Sequence, residues 1–450
     1  VTATAPRTAL LTDHYELTMV EAALRSGAAS RRCVFEVFAR RLPEGRRYGV
    51  VAGTGRLVEA VERFRFGDAE IAFLRDTGVV DEPTLEFLAG YRFTGEIWGY
   101  AEGECYFPGS PVLVVEADFA QAVVLETLVL SILNHDSAVA SAASRMTSAA
   151  GDRPCIEMGS RRTHEEAAVA SARAAYIAGF ATTSNLEAGR RFGVPTAGTA
   201  AHAFTLLHDD EREAFAAQIS SLGKGTTLLV DTYDVPRAVE LAVELAGPEL
   251  GAVRLDSGDL LEQAREVREQ LDRLGATGTK IVVTSDLDEY AIAALAAGPV
   301  DRYGVGTSLV TGSGAPTAGM VYKLVARTDD SGELVGVAKK SKDKQSVAGR
   351  KYALRRRNGR GVAEAELIGI GEAPVDDGDD RALLVPLMAG GEVVDRAALA
   401  LDVARARHAA SRAELPAAAH RLQRGEPAIP TVFEAPSPGD AGRSPTSVAP

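Results

Sequence analysis

Seven times between Ile156 and Thr307, a short apolar run ends in small, charged or hydrogen-bonding residues and a stretch with helical spacing follows. The endings are Glu157-Met158-Gly159-Ser160-Arg161, Thr182-Thr183-Ser184-Asn185, Gly198-Thr199-Ala200-Ala201-His202, Asp231-Thr232, Arg254-Leu255-Asp256-Ser257-Gly258, Thr284-Ser285-Asp286 and Gly304-Val305-Gly306-Thr307. The intervening helices are expected at 163–178, 185–192, 210–222, 235–246, 260–274 and 288–297. Strands separated by single helices favour parallel pairing with right-handed crossovers. Seven such units suit an irregular parallel β/α barrel better than a doubly wound sheet, which the pattern leaves as the alternative. Barrels of this kind carry their chemistry on the loops that follow the strand C-termini, so seven polar endings on one face would build one site.

The remainder of the 450 residues organises around this repeat. Residues 1–117 mix helix and strand without regular alternation and read as an N-terminal α+β domain. It has an amphipathic helix over 12–26, a strand over 34–38, a helix over 50–64 and strands over 96–100 and 112–117. A long alanine-rich helix is expected over 119–149, within a barrel domain spanning 118–318. Past residues 320–325 the chain turns β-rich and basic up to Arg357, and residues 319–434, with an exposed loop at 376–380 and a helix over 397–422, are expected to pack with the N-terminal domain. Residues 435–450, rich in Pro, Ser, Gly and Ala, read as a mobile tail.

A net charge of −13 with no long basic stripe argues against a nucleic-acid partner. Cys33, Cys105 and Cys155 are far apart, odd in number and lack C-x-x-C spacing, which argues against a zinc site or disulfide framework and suits reduced, buried thiols. No uninterrupted apolar run reaches about 18 residues and no secretory h-region opens the sequence, so no membrane partner is expected and the cytoplasm is the expected compartment.

The strand endings carry the chemistry. Arg254 and Asp256, two apart on an extended strand, point the same way. Arg suits a phosphate oxygen, while Asp suits a ribose hydroxyl or Mg²⁺; a structural ion pair is the competing reading. Gly304-Val305-Gly306-Thr307-Ser308 could cradle a phosphate with backbone N–H groups, but it matches neither a Walker A loop nor a dinucleotide fingerprint. His202 follows small residues that leave room for a ligand, and a neutral imidazole can act as nucleophile or base near pH 7. His164, at a helix start, reads as a cap or surface position. Arg161 offers a two-pronged bond to a carboxylate, and Asp231, Ser285 and Asp286 add polar groups to the rim. The set suits an anionic, phosphorylated substrate better than hydride transfer or zinc chemistry. A Schiff-base aldolase is disfavoured because no strand ending offers a Lys.

In order along the chain, Thr12-Asp13-His14-Tyr15-Glu16-Leu17-Thr18-Met19, Glu157-Met158-Gly159-Ser160-Arg161-Arg162, Thr183-Ser184-Asn185, Gly198 to His202, Arg254 to Gly258, Gly304 to Thr311 and Val321-Tyr322-Lys323-Leu324 resemble the nicotinate phosphoribosyltransferase family over residues 8–355. The resemblance implies conversion of nicotinate and phosphoribosyl pyrophosphate to nicotinate mononucleotide and pyrophosphate, coupled to ATP hydrolysis and using Mg²⁺. It also implies a homodimer whose active sites are shared between subunits. His202 matches the histidine that ATP phosphorylates, and Arg161 the residue that meets the nicotinate carboxylate. Arg254 and Asp256 match the grip on the phosphoribosyl group; Ser285, Gly306 and Thr307 match the 5′-phosphate cradle. Asp13 and Tyr15 match the motif lent by a partner subunit to the ring pocket, and Arg40, Lys323 and Lys340 match partner-supplied phosphate contacts. Two stretches depart from the family pattern: Ala348-Gly349, where Pro-Gly is common, and Arg46-Arg47-Tyr48, where a Gly-rich loop is common. These bear on Lys340 and Arg40.

Rival expectations are a nicotinamide or quinolinate phosphoribosyltransferase and a non-catalytic nucleotide sensor on the same scaffold. Quinolinate, with two carboxylates, would want a denser basic pocket. Nicotinamide would want a carboxylate where Ser184 stands. Both favour nicotinate.

Overall fold

The computed structural model describes residues 6–339 and 346–434. The chain forms two compact units: one from the chain up to Asn134, Ala318–Ala419 and the segment from Arg424, the other from His135–Thr317 and His420–Gln423.

The second unit is built on six parallel strands: β1 Cys155–Glu157, β2 Thr182–Thr183, β3 Thr227–Leu229, β4 Ala252–Leu255, β5 Lys280–Val283 and β6 Arg302–Val305. Their order across the sheet is β2-β1-β6-β5-β4-β3. Read cyclically, that is chain order with one opening between β2 and β3, as in a barrel that does not close. Leu228, Val253, Ile281, Val283, Tyr303 and Val305 are all fully buried, as expected of parallel strands covered on both faces.

The seventh expected strand is a correction. The segment before Gly198 makes only an isolated parallel bridge, Thr183 to Thr196. Its two flanking bonds run from Thr183 N–H to Pro195 O at 3.0 Å and from Ala197 N–H to Thr183 O at 2.9 Å. Pro195 has no N–H to donate, so a regular ladder cannot continue through it. The segment still lies beside β2, on the side where the sheet opens.

The crossover helices are Glu165–Ile177, Leu186–Phe192, Glu211–Leu222, Val235–Ala246, Leu260–Arg273 and Glu289–Leu295, within a few residues of their expected spans. Asn185, Asp210, Asp234, Asp259 and Asp288 each cap one of these through a side-chain oxygen, satisfying N–H groups that the helix itself leaves free. His164 is likewise the cap of its helix, accepting from the Glu166 N–H at 3.3 Å. The short His420–Gln423 segment is tied to this unit through Leu422 O, which accepts from Arg145 Nη2 at 3.1 Å. Arg145 itself is buried and paired with Glu289 at 2.9 Å.

In the first unit a seven-stranded antiparallel sheet combines both ends of the sequence. Its order is Leu334–Gly336, Met320–Thr328, Arg32–Ala39, Leu113–Asp118, Glu96–Tyr100, Leu384–Ala389, Glu392–Val393. A four-stranded sheet follows, from Arg381–Ala382, Lys351–Arg357, Ala363–Ile370 and Thr431–Glu434. Leu17 and Val20 of the His14–Ser26 helix join the same apolar core as Phe35, Val37, Leu113, Val115 and Tyr322. The three cysteines are free and buried.

Three expected helices differ in detail. The 50–64 helix begins at Thr54, because Gly49–Val50 is a short strand paired with Cys105–Tyr106. The 119–149 helix is interrupted at Val124-Leu125, giving Phe119–Val123 and Glu126–Ala150. Together they are long and apolar enough to meet the length and composition of a membrane span. However, 67% of the apolar window is buried inside the protein, as in a core helix. The 397–422 helix is confined to Leu401–Ala413, flanked by 3-10 turns at Ala397–Leu399 and Ala417–His420. Pro416 disfavours helical backbone at the residue before it, which stops the run.

Candidate active site

A polar cluster stands at the C-terminal ends of β3, β4 and β5. Arg254 lies within β4, and its Nη2 reaches Asp256 Oδ1 at 3.1 Å. Its Nε donates to Thr284 Oγ1 at 3.0 Å, and Nη1 approaches Thr199 Oγ1 at 3.4 Å and Ala200 O at 3.5 Å. The guanidinium therefore spans from Asp256 to the loop that precedes His202. Burial alone would raise the Asp256 pKa. The Thr284 hydroxyl, the Arg254 charge and hydrogen bond, and His202 outweigh it and hold this carboxyl below the usual range.

His202 opens the short helix His202–Leu207. Its Nδ1 lies 3.2 Å from Thr232 Oγ1. On the other side of the ring, Nε2 lies 3.8 Å from Asp231 Oδ1 and 3.9 Å from Asp256 Oδ2. Asp231 is almost wholly buried. Its Oδ2 accepts from the Asp256 N–H at 2.9 Å and from Ser257 Oγ at 2.7 Å. Its Oδ1 is buried and has no hydrogen-bond partner among the described residues, so an unsatisfied acceptor faces the imidazole. Such an orphan is costly unless a donor arrives. A small rotation of the ring would supply one.

Ser285 follows β5 with φ +126°, a conformation that L side chains adopt only under local constraint. Gly306 and Thr307 follow β6, and the Met158 N–H donates to Val305 O at 2.8 Å, which locks the β1 ending against the β6 ending. Gly159 is required there. An added Cβ would fall 2.2 Å from Val310 Cγ1 and 3.1 Å from Gly306 O.

Arg161 and Ser184 occupy the adjoining endings of β1 and β2, both exposed. Arg161 has no ion-pair partner among the described residues. The two loops are stitched by Asn185 Nδ2 donating to Ser160 Oγ at 3.0 Å. Beneath them Glu157 is fully buried. It accepts from the Gly159 N–H and the Thr183 hydroxyl, and its pKa is raised because burial exceeds the effect of those bonds.

In the first unit, Asp13 caps the His14–Ser26 helix by accepting from the Tyr15 N–H at 3.4 Å. Tyr15 is 45% exposed. Burial of its hydroxyl and the neighbouring Glu126 charge raise its pKa. Lys323 Nζ lies 3.6 Å from the same Glu126, so Tyr15 and Lys323 share one carboxylate. Arg40 is not part of that group: it is exposed, with its guanidinium 6.0 Å from the Phe38 ring centroid. Lys340 lies outside the described residues. Glu16, next to Tyr15, is fully buried, accepting from the Thr127 N–H at 2.9 Å and from the hydroxyls of Thr12 and Thr127.

His202, Arg254 and Asp256 are thus brought into one cluster with Asp231. Thr284, Thr232 and Glu157 stand in the strand endings but were given no role there, and Glu16 and Glu126 lie outside that pattern. Their signal was a polar residue closing an otherwise apolar run, as Thr284 does after Lys280–Val283 and Glu157 after Cys155-Ile156.

Comparison with known proteins shows the family. Residues 10–134 match the nicotinate phosphoribosyltransferase (NAPRTase) N-terminal domain. The chain is 61% identical over 431 residues to nicotinate phosphoribosyltransferase pncB1 of Mycobacterium tuberculosis, covering 94% of each chain. It is 38% identical to nicotinate phosphoribosyltransferase of Bacillus subtilis, covering 77% of this chain and 72% of that one. Its fold matches the crystal structure of human nicotinic acid phosphoribosyltransferase with a TM-score of 0.80 at 27% identity, covering 94% and 97% of the two chains. With that identity along nearly its whole length, and with the half-barrel and antiparallel sheets in place, the chain belongs to the nicotinate phosphoribosyltransferase family.

Proposed function

We propose that the protein transfers the phosphoribosyl group of phosphoribosyl pyrophosphate to the ring nitrogen of nicotinate, releasing pyrophosphate, and that ATP hydrolysis drives the reaction through a phosphorylated His202. The observation that carries this reading is the cluster of Arg254, Asp256, Asp231 and His202 at the strand ends of a chain of this family. It joins a cation for phosphate, a carboxylate for ribose hydroxyls and an imidazole flanked by carboxylates.

Bond breaking at C1′ leaves positive charge on the sugar and adds negative charge to pyrophosphate. Arg254 would meet phosphoribosyl oxygens with the N–H groups that its bonds to Thr284 and Asp256 leave over, while Asp256, kept ionised by its neighbours, would accept from the ribose hydroxyls. The endings at Ser285, Gly306 and Thr307 would hold the 5′-phosphate through backbone N–H and hydroxyl groups. Arg161 would anchor the nicotinate carboxylate, and Ser184 would leave the ring edge without a competing anion. Asp13 and Tyr15, lent by a second subunit, would close the ring pocket, and Lys323, Arg40 and Lys340 would add positive charge for phosphates. Holding both reactants in line supplies much of the acceleration.

His202 would take the γ-phosphoryl group of ATP on one ring nitrogen, releasing ADP, and water would then take that group off as phosphate to complete the hydrolysis. Its ring proton would be held by the Asp231 and Asp256 side. Mg²⁺ fits as an ion carried in on substrate phosphates. The group of three carboxylates close enough to share a metal among the described residues is Asp376, Asp377 and Asp380, in the first unit and not among the β-strand endings. Carried in on the substrate phosphates, Mg²⁺ would neutralise charge on the departing pyrophosphate.

A substrate panel tests the reading. Nicotinate should give its mononucleotide with phosphoribosyl pyrophosphate, with nicotinamide and quinolinate far slower. Preference for either of those would reassign the base pocket. Binding of phosphoribosyl pyrophosphate without any product would indicate a sensor.

A further inference from the structure

Thr284 follows β5 and is buried. Its N–H donates to Leu255 O at 2.9 Å, which fixes its backbone beside the end of β4. Its hydroxyl has two charged partners. It donates to Asp256 Oδ1 and accepts from Arg254 Nε at 3.0 Å. Arg254 Nη2 reaches the same Asp256 oxygen at 3.1 Å. Arg254, Asp256 and Thr284 therefore close a ring of hydrogen bonds, and one face of the guanidinium fork is used up within it. What remains is Nη1, turned toward the Thr199–Ala200 loop that leads to His202.

The methyl group of Thr284 packs where the neighbouring strand leaves room. On the neighbouring strand β6, residue 304 is glycine. A Cβ added there would fall 2.5 Å from Thr284 Cγ2 and 2.8 Å from Met158 Sδ. The methyl thus occupies room that β6 leaves by lacking a side chain. A β-branched residue has few χ1 choices, so seating the methyl over Gly304 favours the rotamer that meets the Arg254–Asp256 pair, and the two hydrogen bonds of the hydroxyl hold that rotamer by themselves. An isolated pair at a solvent-open rim would sample several geometries. This one is braced from below by a group that does not itself reach the rim.

We propose that Thr284 is a positioning residue for phosphoribosyl transfer: with its methyl seated over Gly304, its hydroxyl fixes Arg254 and Asp256 in the geometry that grips the phosphoribosyl group. This rests on the assignment of Arg254 and Asp256 proposed above. A positioning role of this kind acts on one substrate and leaves the other alone.

The test uses the full chain with Thr284→Val, which keeps the shape and removes the hydroxyl, and Thr284→Ser, which keeps the hydroxyl. Losing a hydrogen bond to charged partners should raise the KM for phosphoribosyl pyrophosphate about tenfold to a hundredfold. The KM for nicotinate and the melting temperature should stay near wild type, and Thr284→Ser should recover to within about threefold of wild type. Unchanged KM for phosphoribosyl pyrophosphate in Thr284→Val would overturn the proposal. So would a Ser variant as impaired as the Val variant, which would assign the effect to packing alone. If Thr284→Val folds poorly, Thr284→Ala carries the same comparison. Calorimetric binding of phosphoribosyl pyrophosphate to the three proteins reads the inference independently of turnover. Loss of binding in Val with recovery in Ser supports it even if the wild-type protein makes no nicotinate mononucleotide, an outcome that would sink only the proposed reaction.

Discussion

His202 sits between two kinds of neighbour, a hydroxyl at Nδ1 and two carboxylates near Nε2. That asymmetry is what a phosphate-accepting imidazole needs, because one nitrogen must be free to attack while the other keeps its proton. His202→Ala should abolish stimulation by ATP and leave a slow ATP-independent turnover; stimulation retained in that variant would remove His202 from the coupling step. Arg161 stands exposed with no ion-pair partner among the described residues, as a residue waiting for a carboxylate would. Arg161→Ala should raise the nicotinate KM about tenfold or more and leave that for phosphoribosyl pyrophosphate nearly unchanged, since a charged hydrogen bond contributes on the order of 1.5–3 kcal/mol. An unchanged nicotinate KM would end that assignment. At this scale, the sequence singles out His202, Arg254 and Asp256, which the structure brings into one cluster, because each stands at or near a polar segment ending and carries a side chain with strong chemistry. It does not single out Thr284 or Glu157. A threonine or a glutamate at a strand end has many ordinary uses, and only the neighbouring strands show what each one braces.

The strand–helix repeat was legible as elements because burial on both faces forces apolar runs such as Leu228-Leu229-Val230 and Ile281-Val282-Val283, and because Asp or Asn caps mark where helices begin. What the repeat could not reveal was that its third unit is no strand. Pro195 interrupts the pairing after Val194, and only the observed bridge from Thr183 to Thr196 shows how little of a ladder remains. The same limit applies to the 397–422 stretch, where periodicity runs on but Pro416 breaks the backbone. Element contacts also make a prediction at Gly159, where the β1 ending passes against the β6 ending. Gly159→Ala should cost about 1–3 kcal/mol of stability through overpacking against Val310 and the Gly306 carbonyl. It should also lower activity by displacing both loops. Denaturant unfolding within a few tenths of a kcal/mol of wild type would show that the contact yields easily.

For the whole molecule, the antiparallel unit joins segments from both ends of the sequence, which composition could suggest only as an affinity between two mixed regions. Long-range pairing such as Glu36 opposite Lys323 has no local signature. This unit also holds a buried histidine. His408, whose Nε2 has no hydrogen-bond partner among the described residues, is pushed down from 6.5 to about 4 by burial first and then by the charge of Arg412. A depressed pKa on a base means that the folded state resists a proton that the unfolded state accepts. Its contribution is therefore full above pH about 6.5 and is lost as pH falls toward about 4. Unfolding free energy should drop by up to on the order of 3 kcal/mol over that window from this group, and His408→Gln should flatten the decline. Equal slopes in the two proteins would show that His408 takes up its proton without resistance.

The central claim joins fold, cluster and family in one reaction, and one assay addresses all three. Purified protein should be given nicotinate, phosphoribosyl pyrophosphate and Mg²⁺, with and without ATP, and nicotinate mononucleotide and pyrophosphate should be quantified. The expected result is equal amounts of both products, with turnover clearly raised by ATP and ADP formed alongside. Absence of nicotinate mononucleotide under both conditions, from protein that is folded and binds phosphoribosyl pyrophosphate, would contradict the account.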